Sequence, residues 1–242
     1  MSVPDFIDIG SRTIPLIVRF RKEARLLRLR LNFRNQVVVS APCHYKSEDI
    51  IAFLNRQNSW LEKQVEQIPE VSGISDWLSD RPFLSASGVR FPVHVESMDC
   101  QRASYKFVNE GTELLLIVPR ESQDFQGTLL RLVRAFAEDA LACRLNHHAR
   151  QLNLEFKGCT VRDQLNRWGS CSGRRWISLN WRLVLVAPEL QDYVILHELA
   201  HLTEMNHSKR FWDLLDSYDP IRQEHESDLK ELTGTVMRIG RC

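Results

Sequence analysis

In the segment VILHELAHLTEMNHSKRFW, residues 194–212, His197, Glu198 and His201 fall in the order H-E-x-x-H. Two histidines four positions apart stand one above the other on a single helical face, so both can reach one metal ion. Glu198 sits beside the first histidine, where a carboxylate reaches a metal-bound water from the side and acts as general base without itself being a ligand. The neighbours Val194, Ile195, Leu196, Leu199 and Leu202 place this polar trio against a core, where buried polar groups need partners. A metal supplies one.

A hydrolytic zinc needs three protein ligands and an open position. Glu204 and His207 are the near candidates for the third. Glu204 lies three residues beyond His201, and in an uninterrupted helix it is carried roughly 4.5 Å further along the axis, away from a metal centred between the two histidines. His207 follows Asn206, a residue type that tolerates the left-handed conformation in which many helices end, so the chain can turn there and return His207 to the metal. His207 is therefore the expected third ligand. His225 is an alternative, though its position reads better as an exposed helical one.

These side chains need a helix to carry them. Pro188 suits a first helical turn, and ELQDYVILHELAHLTEM continues from it with apolar faces. Before it, TVRDQLNRWGSCS and RWISLNWRLVLVAP alternate as strands on either side of a turn at Gly173, Arg174 and Arg175. Residues 127–152 carry the apolar stripe of a long helix, with His147 and His148 near its end, where protonated histidines at the surface complement the helix dipole. Two short helices are expected after the motif, at 208–218 and 220–232, the second stopping before Gly234.

The first half reads as a small β-rich unit with one helix. LLRLRLNFRNQVVVSA, residues 26–41, has a hairpin pattern turning at Arg34, Asn35 and Gln36, and KSEDIIAFLNRQNSWLEKQVEQI has the spacing of one amphipathic helix with Ser47 as N-cap. A Ser-, Gly- and Pro-rich stretch runs from Pro69 to Pro92, and further strands are expected in VRFPVHVE, SYKFV and ELLLIV. No internal repeat stands out. The expected division is 1–122 as an N-terminal β-rich region and 123–242 as the catalytic region.

Composition narrows the class of molecule. With 32 Lys+Arg against 31 Asp+Glu the formal charge is +1, so bulk charge does not draw the chain to nucleic acid. Locally the balance differs: Arg19, Arg21, Lys22, Arg25, Arg28, Arg30 and Arg34 face only Glu23. That hairpin reads as a solvated basic face, or as a site for an anionic ligand such as a nucleotide or nucleic acid. The six cysteines, Cys43, Cys100, Cys143, Cys159, Cys171 and Cys242, form no C-x-x-C pair and are expected as reduced thiols. The N-terminus lacks a basic region leading into an apolar run, and no segment approaches the ~18 uninterrupted apolar residues of a membrane span. A cytoplasmic protein is expected.

RWGSCS at 167–172, ISLNWRLVLVAP at 177–188, DYVILHELAHL at 192–202 and MNHSKRFW at 205–212 together resemble the YgjP-like metallopeptidase domain family, itself similar to the SprT-like and WLM-type zinc proteases. Weaker similarity extends through LRLRL and FLNRQNSWLEKQ, so the resemblance covers nearly the whole chain. It implies an α+β, zincin-like core in which the H-E-x-x-H helix lies beside a small sheet, with Zn2+ held by His197, His201 and His207 and a catalytic role for Glu198. It implies a peptide or protein substrate, and in related zincins an edge strand takes up the substrate backbone. Arg167, Trp168 and Ser170 read as architectural. Tyr193 and Arg210 are near enough in sequence to stabilise an oxyanion, and neither is assigned. Two other functions are compatible with the motif. An activated water can attack the phosphoanhydride of a nucleoside triphosphate held by the arginines of residues 19–34. Alternatively, the basic hairpin makes the chain a nucleic-acid-associated factor.

Overall fold

The computed structural model describes residues 3–241; Cys242 lies outside them. The described chain divides into two compact units, residues 3–71 with Arg241, and residues 72–240.

In the first unit, β1 (Phe6–Ile9) and β2 (Arg12–Arg21) form a hairpin, β3 (Arg28–Leu31) and β4 (Val37–Pro42) form another, and β2 runs parallel to β4, giving the order β1-β2-β4-β3. The β-branched run Val37, Val38, Val39 suits a central strand and is wholly buried. Helices α1 (Ser47–Arg56) and α2 (Asn58–Gln67) bury Ile50, Leu54, Leu61 and Val65 against Leu16, Val37, Val39 and Ala41. The single helix expected over 46–68 is thus two, broken at Gln57, and Lys46 rather than Ser47 is the N-cap.

The second unit begins with α3 (Ile74–Asp80), in a stretch whose Ser and Gly content suggests only loop. Then β5 (Phe83–Ala86), β6 (Val89–Met98), β7 (Ser104–Val108) and β8 (Glu113–Pro119) form a sheet of order β5-β6-β8-β7, again with two antiparallel pairs joined by one parallel pair. The first unit's sheet is repeated strand for strand. Phe6, Pro15 and Pro42 stand where Phe83, Pro92 and Pro119 stand in the second sheet, and each sheet is followed by a helix. The expectation of no internal repeat is therefore corrected. So is the boundary at 122/123: Leu84, Val93, Leu114, Leu116 and Val118 share one core with Leu129, Val133 and Phe136 of α4 (Phe125–Gln151), so the second sheet belongs with the helices that follow it.

The remainder of this unit builds the site. The strands β9 (Gly158–Arg162), β10 (Gly169–Cys171) and β11 (Trp176–Asn180) form a sheet of order β10-β11-β9, with β10 antiparallel and β9 parallel to β11. Arg175, at φ 61°, closes the expected turn between β10 and β11. The strand pattern of 175–188 ends at Asn180, whose buried side chain accepts a hydrogen bond from the Arg182 amide and starts a 3-10 helix, Trp181–Leu185. The last helices are α5 (Pro188–Ala200), α6 (Lys209–Tyr218) and α7 (Arg222–Val236), and α7 passes through Gly234 instead of stopping before it. No helix among the described residues is long and apolar enough to cross a membrane, and the described cysteines are all free.

One ion cluster ties α4 to α5. Arg144 donates to both carboxylate oxygens of Asp192, at 2.7 and 2.5 Å, and His148 Nε2 lies 2.9 Å from the same carboxylate. His148 is therefore a structural partner and not the surface residue its position suggests. Burial pushes the Asp192 carboxyl up, but the hydrogen bonds from Arg144 and His148 outweigh it and hold the group below its ordinary value. A carboxyl depressed by folding stabilises above its unfolded pKa and loses that contribution as pH falls through the folded value. Acid melts should therefore show Asp192→Asn less stable at neutral pH by on the order of 2 kcal/mol, with the gap closing below about pH 4. A constant gap from pH 7 to 3 would refute this account.

Candidate metal centre

Helix α5 starts with Pro188 at its first position and is buried almost all round, with Ile195, Leu199 and Ala200 fully enclosed. Gln191, also fully buried, donates to the carbonyls of Ser85 and Leu183. Such a helix is held rigidly, which fixes the side chains it carries. The regular helix ends at Ala200, with His201 as its C-cap. Short-range bonds then wind the chain over, from the Leu202 amide to Leu199 and from the Thr203 and Glu204 amides to Ala200. The reversal thus precedes Asn206, which is not among the described residues of positive φ; the turn returns His207 for a different reason from the one its sequence suggests.

The three histidines converge. One ring nitrogen from each of His197, His201 and His207 lies within 4.8 Å of the others, and the Nε2 atoms of His197 and His207 are 3.0 Å apart. Imidazoles sharing a tetrahedral zinc at ~2.0–2.1 Å have nitrogens ~3.3 Å apart, so the cluster is of the right size. His201 Nδ1 is 3.1 Å from the carbonyl oxygen of Glu204, an arrangement that orients the ring and leaves Nε2 free for a metal. Glu204, weighed as a ligand, contributes its backbone instead, and its side chain lies 3.8 Å from Arg210. Phe211, fully buried at the start of α6, touches all three rings: it stacks on His201 at 4.5 Å and meets His197 and His207 edge-on at 4.9 and 4.7 Å.

Electrostatics favour the neutral form of His197 and His201. Burial, reinforced by His201 and His207, pushes His197 down to about 3, and burial also lowers His201. Neutral imidazole is the metal-binding form. The cluster therefore fits a metal cation in geometry, and His197 and His201 also in protonation state.

Glu198 is 5% exposed, and among the described residues its Oε2 has no hydrogen-bond partner. A buried carboxylate oxygen without a partner costs on the order of 1–3 kcal/mol or more, which a purely structural residue has no reason to incur. Burial pushes its carboxyl up to about 8, opposed by the Arg167 guanidinium. The space for it comes from β10: a Cβ on Gly169 would lie 2.5 Å from Glu198 Oε1 and 2.7 Å from its Cγ. Only glycine lets the strand pass so close. Gly169→Ala should displace the carboxylate and lower hydrolysis about 100-fold, the scale of a ~1 Å misplacement, with metal content unchanged. Undiminished turnover in that variant would show that the position of Glu198 is immaterial.

Arg167, Ser170, Cys171 and Met205 line the same cleft of about 320 Å3 with the histidines and Glu198. Arg167 and Ser170, read from sequence as architectural, are thus at the cleft wall. Trp168 is a tie, its indole N–H donating to Thr233 at 2.9 Å. Burial raises the Cys171 thiol to about 11, with Glu198 adding to the shift, so it carries no thiolate at neutral pH. Asn180 holds the segment in place, donating to the carbonyls of Gln164 and Arg167. Signals for these roles exist only as the string RWGSCS, since a contact between residues 169 and 198 has no local period. Tyr193 is buried and its hydroxyl is raised to about 12; neither it nor Arg210 lines the cleft. His225 is engaged by Asp219 at 2.7 Å and stands outside the metal-sized cluster.

None of the curated proteins matches the chain. A solved structure, the metallopeptidase zymogen of Pyrococcus abyssi abylysin, is similar at 22% identity over 38% of this chain and 95% of that one, with a TM-score of 0.35, too low to bear on the fold. The model of the YgjP-like metallopeptidase domain matches residues 25–232, from the first unit's sheet through the histidine cluster and into α7. A match of that extent shows the family, which implies a metal ion: the chain belongs to the YgjP-like metallopeptidase domain family.

Proposed function

We propose that the chain is a zinc-dependent peptidase with a zincin-like core, in which His197, His201 and His207 hold the metal and Glu198 is the general base. The observation that carries this reading is the convergence of three imidazoles beside a buried carboxylate whose Oε2 has no hydrogen-bond partner among the described residues. Three nitrogen donors with room for a fourth position suit zinc above the harder divalent cations. When bound, zinc supplies Lewis acidity, polarising a carbonyl oxygen and acidifying water. Glu198 accepts the proton of the attacking water and passes it to the departing amine. The strand β10 favours a peptide substrate. It is an edge of its sheet, its residues Gly169–Cys171 line the cleft, and an open strand edge offers main-chain hydrogen bonds to an extended peptide.

Zinc-loaded protein should hydrolyse an unstructured protein substrate, lose that activity to a chelator, and recover it with one equivalent of zinc. A panel of nucleoside triphosphates should be left intact. Turnover of nucleotides with the protein substrate untouched would sink the peptidase reading.

A further inference from the structure

The two faces of the first unit's sheet differ. Toward α1 and α2 it presents Leu16, Val37, Val39 and Ala41. On the other face the register sets Arg19 beside Ser40 and Ser40 beside Arg28, with Arg30 beside Val38, and Arg21 shares the face of Arg19 two residues on. Arg21, Arg25, Arg28 and Arg30, with Ser40 and Glu23, line a cleft of about 680 Å3. All five arginines, Arg19 included, are exposed, and among the described residues none of them forms an ion pair. Five guanidiniums gathered around one carboxylate repel one another, which the compact state must offset.

The fold does not require them. The second unit's sheet has the same topology, and there the positions of Arg19, Arg28 and Arg30 are held by Glu96, Ser104 and Lys106, while that of Ser40 is Ile117. One scaffold therefore carries a mixed face in one copy and an arginine face in the other. The difference points to a ligand.

We propose that this sheet face binds single-stranded nucleic acid through its phosphate backbone. Arginine is the side chain whose planar fork matches phosphate two bonds at a time and whose plane stacks on bases. Residues two apart on a strand are ~6.8 Å apart, and strands two apart are separated by ~9.6 Å, so the cations form a grid over several nucleotides of a chain whose charges recur at ~3.4 Å of axis. An acidic polypeptide would bind a sheet most strongly along an edge, where backbone hydrogen bonds are free, and not on a face. A lipid headgroup surface favours cations on a protruding face, whereas these line a recess. The proposal is independent of the peptidase reading.

Fluorescence anisotropy of the full zinc-loaded chain with a labelled 20-nucleotide single strand, of DNA and of RNA, tests it. Four to five phosphate contacts predict a slope of log K against log salt of about −3. The pair Arg28→Gln/Arg30→Gln should bind at least tenfold more weakly and lower the slope in magnitude by about 1.4, while Arg56→Gln on α1 changes neither. Circular dichroism melts of both variants should match the wild type, since all three side chains are exposed. No binding at 50 mM salt, an unchanged slope in the double variant, or equal binding to polyglutamate or to phosphatidylserine vesicles would overturn the proposal.

Discussion

Glu198→Gln should retain a full equivalent of zinc and lose between 10²- and 10⁴-fold in kcat, the range that a general base contributes. The separation of the two effects follows from the geometry. The metal-sized cluster consists of three imidazole nitrogens and excludes the carboxylate, so an amide in its place costs no ligand. Glutamine fills the same volume, so the close pass of Gly169 over the side chain is undisturbed. What changes is proton affinity: an amide cannot take the proton of an attacking water. Because the reacting bond and not substrate binding is affected, KM should hold while kcat falls. Folding stability should hold or rise, since replacing a 5% exposed ionisable group by a neutral one removes a desolvation cost. Zinc content by emission spectroscopy, steady-state kinetics and a thermal melt on one preparation read all three. Full activity with zinc retained would exclude Glu198 as the base; loss of zinc would make it part of the metal's support.

The parts of this molecule legible from sequence are those with a local period. His197 and His201 can be paired from the helical repeat alone, and the strands β6, β7 and β8 are readable in VRFPVHVE, SYKFV and ELLLIV because alternation and β-branching are properties of neighbours. His207 is reachable by elimination, although the chain turns at 202–204 through short-range bonds and not at Asn206. Contacts that join distant positions leave no such trace. The floor under the histidines is Phe211, an aromatic at a helical position like any other in sequence, and the recess for Glu198 is an absent side chain 29 positions upstream. The strand repeat is hidden for a related reason. A shared topology requires only turn residues and apolar faces at corresponding places, so Arg19 and Glu96 can occupy one site in the pattern and obscure it. Overlooking the repeat also moves the boundary: with both sheets counted as one β-rich region, the division falls at 122 and not at 71.

His207→Ala is expected to abolish hydrolysis by removing the metal while leaving the fold intact. Of the three histidines it alone is exposed and follows the helix, whereas His201 is 8% exposed and stacks on Phe211. Deleting the His201 ring would open a gap against a buried aromatic and confound metal loss with instability. Deleting that of His207 leaves α6 seated through Phe211 and Leu215, both fully buried. Two imidazoles should then bind zinc more weakly by well over the ~10–100-fold that loss of a supporting residue costs. The gap opens to solvent through the cleft, so added imidazole should restore part of the metal and part of the turnover, a rescue that no merely structural role would give. His225→Ala should keep both, because that ring is paired with Asp219 away from the cluster. Retention of stoichiometric zinc by His207→Ala would mean that a third donor lies elsewhere. Glu204, the other near candidate in sequence, is then the residue to change.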